Sequence, residues 1–273
     1  MAKRPIPVIV VSTESNDGQL VLQALELGAV DFVRKPTILA SEKLFEISDE
    51  LLAKVKLAAT TELQSRNALP LSSETLAPIG RRKSNIDVVV LGISTGGPQA
   101  LKYLIPRLPA DFPVPLVIVL HMPVGYTELF ARSLNDVSTL EVREVQEGDV
   151  LRQGVVLLAQ AGYHLVLVRD ANNDVSAHLD IHPLDTPHRP SVDVLFKSAA
   201  EIYGDRVLAV VMTGMGLDGT AGTAWIKAKG GQVMVESEES CVVYGMPRSV
   251  VEAGLCDKIV PLNKMAASIL ECL

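Results

Sequence analysis

Cysteines and long apolar runs are scarce in this sequence of 273 residues. Its cysteines, Cys241, Cys256 and Cys272, are odd in number and show neither CxxC nor metal-ligand spacing, so we interpret them as reduced side chains without catalytic duty. No uninterrupted apolar stretch approaches the roughly 18–20 residues that a membrane-spanning helix needs. The sequence therefore predicts no disulfide framework, no cysteine-based metal site and no direct insertion into a membrane.

Positive charge is in the minority. The 25 Lys and Arg residues are outnumbered by 32 Asp and Glu residues, which gives a formal net charge of −7. Nucleic acids and anionic membrane surfaces select for clustered Lys and Arg, so the charge balance argues against either as a partner. The basic residues Lys3 and Arg4 are followed by Pro5 and Pro7, which interrupt any signal-type apolar segment, and we expect a cytoplasmic location.

The first 58 residues alternate between strand and helix patterns. The run "IPVIVV" at 6–11 is typical of a buried strand, and "AVDFVRKP" predicts a second short strand that Pro36 ends. Between them an amphipathic helical pattern ends at Gly28, a residue suited to the C-cap of a helix. A second helical pattern covers 41–58. This β-α-β-α arrangement is small for an independent α/β domain, because a parallel sheet needs both faces covered.

A sustained α/β pattern covers 86–273, after a linker at 59–85 that is rich in Ser, Thr, Pro and Asn. The apolar runs lie at 86–91, 114–120, 155–159, 164–168, 207–213 and 232–235. The helical patterns lie at 98–108, 126–135, 191–202, 219–229 and 247–253. Their alternation predicts a doubly wound, mainly parallel sheet with helices on both faces, a three-layer Rossmann-like fold.

Three polar residues, Ser94, His121 and Asp218, follow three of these apolar runs. In open parallel sheets, ligands and catalytic groups collect beyond the carboxyl ends of the strands. A serine hydroxyl needs an imidazole to take its proton, and the imidazole needs a carboxylate to fix its tautomer and stabilise its charge. On residue types alone, the set favours a serine hydrolase with a nucleophile, a base and an orienting carboxylate.

Each of the three residues also has a simpler interpretation. Ser94 could cap a helix or bind a phosphate, although its segment lacks both the GxGxxG pattern and the Walker lysine. A lone histidine such as His121 is more often a structural residue, and Asp218 in "GLDGT" could be a turn residue or an N-cap. The G-x-S-x-G spacing is short enough to occur by chance, and the pattern does not show that the three strands are neighbours.

Six motifs in order resemble the catalytic domain of the chemotaxis protein-glutamate methylesterases, which are also protein-glutamine deamidases. They are "GISTGGP" (92–98), "VLHMPVGYTELFARSL" (119–134), "GYHL" (162–165), "HRPSVDVLFKSAA" (188–200), "MTGMGLDGTAG" (212–222) and "VVYGMPRSV" (242–250). The resemblance covers essentially all of 86–273, and the number of motifs makes it specific.

The resemblance implies a role for each residue of the site. Ser94 is the nucleophile, His121 is the general base and then the general acid, and Asp218 orients the imidazole. The backbone N–H of Met215 belongs to the oxyanion hole, and the logic of a nucleophile elbow adds the N–H of Thr95 as a second donor. Neither a metal nor a cofactor is implied.

The implied substrates are γ-glutamyl methyl esters and glutamine amides on the cytoplasmic domains of methyl-accepting chemoreceptors. The chemotaxis histidine kinase is the further partner of full-length members of the family. Three alternatives remain open at this point: a mainly deamidating member, an inactive binding module of a chemosensory pathway, and, more remotely, a dinucleotide-binding oxidoreductase. An intact set of catalytic residue types argues against the inactive module.

The first 58 residues resemble the second half of the same family's flavodoxin-like receiver domain. "PVIVVSTE" resembles the strand that carries the switch hydroxyl, here Ser12, and "AVDFVRKP" resembles the strand that carries the receiver lysine, here Lys35. The acidic pair for Mg²⁺ and the phosphorylated aspartate are not among these residues. The resemblance therefore predicts that a phosphodonor does not stimulate this chain.

Overall fold

The computed structural model describes residues 6–12, 18–35, 48, 51–56, 58–59 and 85–273. The chain divides into two compact units, Met1–Ser72 and Ser73–Leu273. The boundary between them lies inside the predicted linker at 59–85, of which 60–84 fall outside the described residues.

The first unit contains a two-stranded parallel sheet. Strand β1 (Ile9–Ser12) pairs with β2 (Asp31–Arg34), and helix α1 (Gly18–Glu26) connects them. The helix buries Val21, Leu22 and Leu25, the apolar positions of its 3.6-residue period, and both strands and this helix lie where the sequence predicts them. Helical residues occur at 51–56 and 58–59; the rest of the predicted helix over 41–58 lies outside the described residues, apart from residue 48.

The second unit contains a seven-stranded parallel sheet and a separate hairpin. The sheet consists of β3 (Val88–Ile93), β4 (Leu116–Leu120), β5 (Glu141–Glu144), β6 (Val155–Leu158), β9 (Val207–Val211), β10 (Gln232–Glu236) and β11 (Lys258–Val260), and the hairpin of β7 (His164–Arg169) and β8 (Val175–Asp180). The order of strands in the sheet is β11-β10-β9-β3-β4-β6-β5, with every pair parallel. Every residue of β3, β4 and β9 is buried, as expected where helices cover both faces.

Six helices and two short 3₁₀ turns accompany the sheet. The helices are α2 (Gly97–Leu104), α3 (Thr127–Asn135), α4 (Val192–Tyr203), α5 (Thr220–Ala228), α6 (Met246–Glu252) and α7 (Leu262–Cys272), and the turns are Ile105–Arg107 and Gly204–Arg206. Helices α4, α5 and α6 pack in sequence on one another, and α2 packs on both α3 and α7. These two groups give the two helical layers that the alternating pattern predicts. No helix in the described part of the chain is long and apolar enough to cross a membrane.

The predicted strand at 164–168 lies outside the parallel sheet. It forms β7, which pairs antiparallel with β8. Leu165 and Leu167 are buried in the core while Val168 is exposed, so the segment alternates as a strand with one covered face does. Strands β5, β8 and β11 and helix α7 are not predicted by the sequence pattern. β5 and β11 are short and carry charged residues, and β8 lacks a continuous apolar run.

Candidate active site

The central strand β3 lies between β4 and β9, so the residues after these three strands meet at one edge of the sheet. The register places Ile93 opposite Leu120, and the N–H of His121 donates to the Ile93 carbonyl at 3.1 Å. On the other side, the N–H of Ser94 donates to the Thr213 carbonyl at 3.0 Å. The structure thus makes neighbours of strands whose adjacency the sequence does not show.

Ser94 lies in a tight turn between β3 and α2. The N–H of Gly97 donates to the Ser94 carbonyl at 2.7 Å, and Gly96 has a φ of 79°, the left-handed conformation that glycine adopts at little cost. Ser94 itself is half-buried. A sharp strand-to-helix turn of this kind presents a serine hydroxyl above the edge of the sheet.

A second glycine allows the next strand end to approach Ser94. A Cβ atom on Gly214 would lie 2.8 Å from the Ser94 Cβ and 2.3 Å from the Met246 Sδ, so no other residue fits without a shift. The Gly214 carbonyl accepts the N–H groups of Gly245 and Met246 at 3.1 and 2.9 Å. These two bonds come from the "YGMPR" segment and fix the peptide group that joins Gly214 to Met215.

The N–H of that same peptide belongs to Met215, the predicted oxyanion donor. It makes no hydrogen bond within the described residues, while its orientation is fixed by the bonds to the Gly214 carbonyl. Thr95, the other predicted donor, is buried, and its carbonyl accepts the Thr213 hydroxyl at 2.9 Å. The assignment of both N–H groups to an oxyanion hole stays a prediction.

His121 and Asp218 form a direct bond. The distance between His121 Nε2 and Asp218 Oδ2 is 2.8 Å, and the two side chains are 8% and 11% exposed. Since Nε2 faces the carboxylate, Nδ1 is the nitrogen left to act on a substrate or on Ser94. It is buried and has no hydrogen-bond partner, the Ser94 hydroxyl included, within the described chain. Such catalytic bonds commonly form only when substrate is bound.

The first turn of helix α4 holds the Asp218 carboxylate. The Ser191 hydroxyl donates to Oδ1 at 2.9 Å, the Val192 N–H to Oδ2 at 2.8 Å and the Asp193 N–H to Oδ1 at 3.0 Å. The N-terminus of a helix offers such donors together with a favourable dipole. Burial opposes the charge of Asp218, but the bond to His121 and these N–H groups outweigh it and lower its pKa well below the ordinary value. Asp218 is therefore ionised at neutral pH.

A second carboxyl group, Asp193, lies beside Asp218. Its Oδ1 accepts the N–H groups of Gly219 and Gly222 at 2.9 and 2.6 Å, which ties the "GLDGTAG" segment to α4. Burial and the neighbouring charge of Asp218 together raise the pKa of Asp193 to about 6, although the N–H groups of Gly222 and Gly219 lower it. Asp218 therefore stays ionised, whereas Asp193 holds a proton in mildly acidic solution.

Several residues of the site were not found by reasoning from the sequence. His188 stacks on the His121 ring with centroids 4.1 Å apart and an interplanar angle of 24°. Glu236, which is fully buried, accepts the Thr213 N–H at 2.9 Å and so supports the strand end beside Ser94. Ser191 and Asp193 hold the Asp218 loop. The motifs "HRPSVD" and "YGMPR" indicated that these segments belong to the site. Their spacing did not predict which residue contacts which.

The residues predicted from the receiver resemblance lie in the first unit. Ser12 ends β1, Lys35 follows β2, and the Lys35 N–H donates to the Ser12 carbonyl at 2.6 Å. They are neighbours, and the switch roles of their side chains stay predictions. Across the described ranges, no group of three or more His, Cys, Asp or Glu residues is arranged to hold a metal ion.

The chain is similar to a protein family and to named members of it. The family model described as CheB methylesterase matches residues 89–269. Protein-glutamate methylesterase/protein-glutamine glutaminase 5 of Myxococcus xanthus (strain DK1622) is 50% identical over 261 residues, which cover 95% of this chain and 74% of that protein. Protein-glutamate methylesterase/protein-glutamine glutaminase 2 of Methanosarcina mazei is 39% identical over 283 residues, which cover 99% and 77%.

A solved structure gives the same fold. The crystal structure of the Thermotoga maritima CheB methylesterase catalytic domain is 42% identical, with a TM-score of 0.67, and the match covers 69% of this chain and 99% of that domain. The predicted fold class, a mainly parallel sheet flanked by helices, is confirmed by this match. The match does not extend to the predicted receiver half.

Proposed function

Because the chain belongs to the CheB methylesterase family, we propose that it is a protein-glutamate methylesterase and protein-glutamine glutaminase that acts through Ser94, His121 and Asp218. The observation that carries these roles is the 2.8 Å bond between His121 and Asp218 at the strand ends beside Ser94. Family membership leaves no support for an oxidoreductase, and neither the relatives nor the site favours an inactive binding module.

The first half of the reaction forms an acyl-enzyme. Ser94 Oγ attacks the ester carbonyl carbon while His121 Nδ1 takes the hydroxyl proton, and Asp218 stabilises the resulting imidazolium. The negative charge on the carbonyl oxygen is stabilised by the N–H groups of Met215 and Thr95. When the tetrahedral intermediate collapses, the bond to the methoxy oxygen breaks, and methanol leaves with the proton from His121.

The second half restores the enzyme. His121 Nδ1 takes a proton from water, whose oxygen attacks the acyl carbon, and the Ser94 oxygen leaves with that proton as glutamate is released. A glutamine side chain follows the same steps with ammonia as the leaving group, which is a harder reaction because an amine leaves less readily than an alcohol. Both reactions require the same three side chains.

We extend the proposal to partners and organisation on the strength of the family resemblance. The substrate residues lie on the cytoplasmic domains of methyl-accepting chemoreceptors, and the chemotaxis histidine kinase is the partner of full-length members. Residues 86–273 form the catalytic domain, 59–85 the linker, and 1–58 a receiver-derived segment. A cytoplasmic location follows from these partners.

Methanol release from methylated receptor membranes tests the proposal. We expect Ser94→Ala to reduce turnover at least about 10⁴-fold, because the triad nucleophile is lost. Ammonia release from receptor glutamines should fall in parallel, since one site performs both reactions. Receptor binding by Ser94→Ala, measured by sedimentation with the membranes, serves as the control for folding. Unchanged methanol release from this variant would exclude Ser94 as the nucleophile.

A further inference from the structure

A second histidine lies behind the Asp218 carboxylate, and the mechanism does not use it. His164 is the first residue of β7 and is completely buried. Burying a polar ring costs free energy unless its nitrogen atoms are hydrogen-bonded. The contacts of this ring therefore indicate what it contributes to the site.

Both nitrogen atoms of His164 have partners that fix its tautomer. The backbone N–H of Ser191 donates to His164 Nδ1 at 3.2 Å, so this nitrogen carries no proton. The other nitrogen, Nε2, carries the proton and donates to the Pro183 carbonyl at 3.1 Å, with the Thr186 hydroxyl at the same distance. Burial lowers the pKa of His164, and the charge of Arg189 lowers it further, so the ring is neutral. It acts as a fixed hydrogen-bonding group and not as an acid or base.

Ser191, which is hydrogen-bonded to His164, is also hydrogen-bonded directly to the catalytic carboxylate. Ser191 precedes α4, its hydroxyl donates to Asp218, and the next two N–H groups, of Val192 and Asp193, donate to the same carboxylate. The hydrogen bond from Ser191 to His164 therefore holds the beginning of the segment 191–193, which carries all three donors to Asp218. The chain of contacts runs from His164 through Ser191 and Asp218 to His121.

We propose that His164 is a positioning residue of the hydrolase: by accepting the Ser191 N–H, it holds the Asp218 carboxylate in the orientation that aligns His121. This inference rests on the proposed function, because it assigns His164 a role in that reaction. It also gives a physical reason for the "GYHL" and "HRPSVD" motifs, which lie in separate segments of the sequence.

Two substitutions of His164 each keep one of the two hydrogen bonds of the ring and remove the other. In His164→Asn, the amide oxygen can take the place of Nδ1 and accept the Ser191 N–H, while the bond to Pro183 is lost. In His164→Gln, the amide nitrogen can take the place of Nε2 and donate to Pro183, while the bond to Ser191 is lost. Both variants retain a polar group, so they are matched in the cost of burial.

We expect the two variants to differ in kcat for methanol release. His164→Asn should stay within about threefold of the wild type, whereas His164→Gln should lose about tenfold or more, the size expected when a hydrogen bond serving a charged group is lost. Ser191→Ala, which removes one donor from Asp218 and leaves His164 untouched, should lose a similar factor. KM should not change, because none of these groups touches substrate.

If His164 positions Asp218, loss of its bond to Ser191 should change the pH dependence of kcat/KM. A role in stability alone should leave that pH dependence unchanged. Ser191→Ala removes one donor from Asp218, whereas His164→Gln releases the Ser191 peptide, so that the donors to Asp218 are less well placed. In both variants the charge of Asp218 is less dispersed and stabilises the His121 imidazolium more strongly. The acid limb of kcat/KM should therefore move to higher pH in His164→Gln and Ser191→Ala, but not in His164→Asn. The other titratable groups nearby, Asp193, His188 and Arg189, are the same in all these proteins.

The possible outcomes are distinct. Loss of activity by His164→Gln and Ser191→Ala, with the shifted acid limb and rescue by Asn, supports the inference. Equal kcat and superimposable pH profiles for the Asn and Gln variants, or losses that follow melting temperature alone, would overturn it. If His164→Gln fails to fold, a loss of kcat in a folded His164→Asn as large as that in Ser191→Ala overturns the inference instead, because the Asn variant keeps the hydrogen bond to Ser191. No methanol release from the wild type would overturn the proposed function itself, and this inference with it.

Discussion

Two imidazole rings stack where the site meets solvent. His188 is exposed, the His121 side chain is 8% exposed, and their ring centroids are 4.1 Å apart. In the proposed reaction His121 becomes an imidazolium, and an aromatic face in contact with it offers both shielding from water and an electrostatic attraction. Under the proposed role of His121, the stack therefore stabilises the charged form of this ring.

We expect the face of the ring at 188, and not its nitrogen atoms, to matter for turnover. His188→Phe should retain kcat for methanol release within about twofold, whereas His188→Ala should lose about three- to tenfold, since such ring pairs contribute about 0.5–1.5 kcal/mol. Steady-state kinetics on receptor membranes measure the difference. A Phe variant as slow as the Ala variant would show that the polar atoms of His188 carry its effect.

Single residues differ in how far the sequence reveals them. Ser94, His121 and Asp218 follow apolar runs and have residue types with a chemical logic, so the sequence alone marks them as candidates. His164 cannot be found in this way, because a histidine at the start of a strand has no distinguishing spacing. Its contact with Ser191 depends on where the β7–β8 hairpin lies against α4, which is a tertiary property.

At the scale of elements, helix α4 is hydrogen-bonded to the loop that follows β9. Its first turn binds the Asp218 carboxylate through N–H groups, while the Asp193 side chain returns bonds to the N–H groups of Gly219 and Gly222. The helix and the loop thus exchange hydrogen bonds in both directions. This reciprocal arrangement places two carboxyl groups side by side, and one of them is held at a raised pKa.

We expect the contribution of the Asp193 carboxyl to the stability of the second unit to fall as pH rises through about 6. Burial raises the pKa of Asp193 from 3.8 to about 6, so the folded state binds more protons than the unfolded state between these values. A raised carboxyl pKa contributes stability that is complete below the unfolded value and is lost as pH rises through the folded value. Asp218, whose pKa is lowered, loses its contribution only at pH values below this interval.

The variant Asp193→Asn isolates this effect, because its amide keeps the accepting oxygen and presents an N–H to Asp218 as a protonated Asp193 does. Urea unfolding of both proteins at about pH 5 and about pH 7.5 measures it. Relative to the wild type, the variant should gain about 1 kcal/mol on going to the higher pH, because only about one pH unit of the raised pKa lies above pH 5 and solvent screening of the half-buried carboxyl reduces the corresponding value of about 1.4 kcal/mol. Parallel changes in the two proteins would contradict the raised pKa.

The elements themselves were predictable where they are long and strongly apolar. Strands β3, β4 and β9 and helices α2 to α6 correspond to periodic patterns in the sequence. Strand β5, "EVRE", is short and charged and lies at one edge of the sheet, so its apolar pattern is too weak to distinguish it from a loop. The apolar run at 164–168 has the composition of a strand in a parallel sheet. In the structure a turn reverses the chain after it, so that β7 pairs with β8 in an antiparallel hairpin.

At the scale of the molecule, every contact described for the candidate active site lies within the unit Ser73–Leu273. The family match at 89–269 lies inside the same unit, and the related Thermotoga maritima domain was solved as a catalytic domain. The boundary between the two units lies within the stretch at 59–85 in which the sequence shows no sustained periodicity. The identity of the first segment as a receiver half stays a prediction.

We expect a protein that begins at Ser73 to retain the activity of the whole chain. Its kcat for methanol release should lie within about twofold, because no described hydrogen bond of the site comes from the first unit. The two proteins should be compared on the same receptor membranes, with far-ultraviolet circular dichroism to verify folding. A folded but tenfold slower protein would show that residues 1–72 contribute to turnover.

The order of strands at the centre of the sheet has a consequence for biosynthesis. Ser94 and His121 leave the ribosome early, on two strands that are neighbours in both sequence and space, whereas Asp218 arrives only after β9. Until β9 adds to the open side of β3, that side is an unpaired strand edge and the imidazole has no carboxylate. Under the proposed roles, hydrolysis therefore requires that β9 has joined β3, because only then do all three side chains of the site lie together.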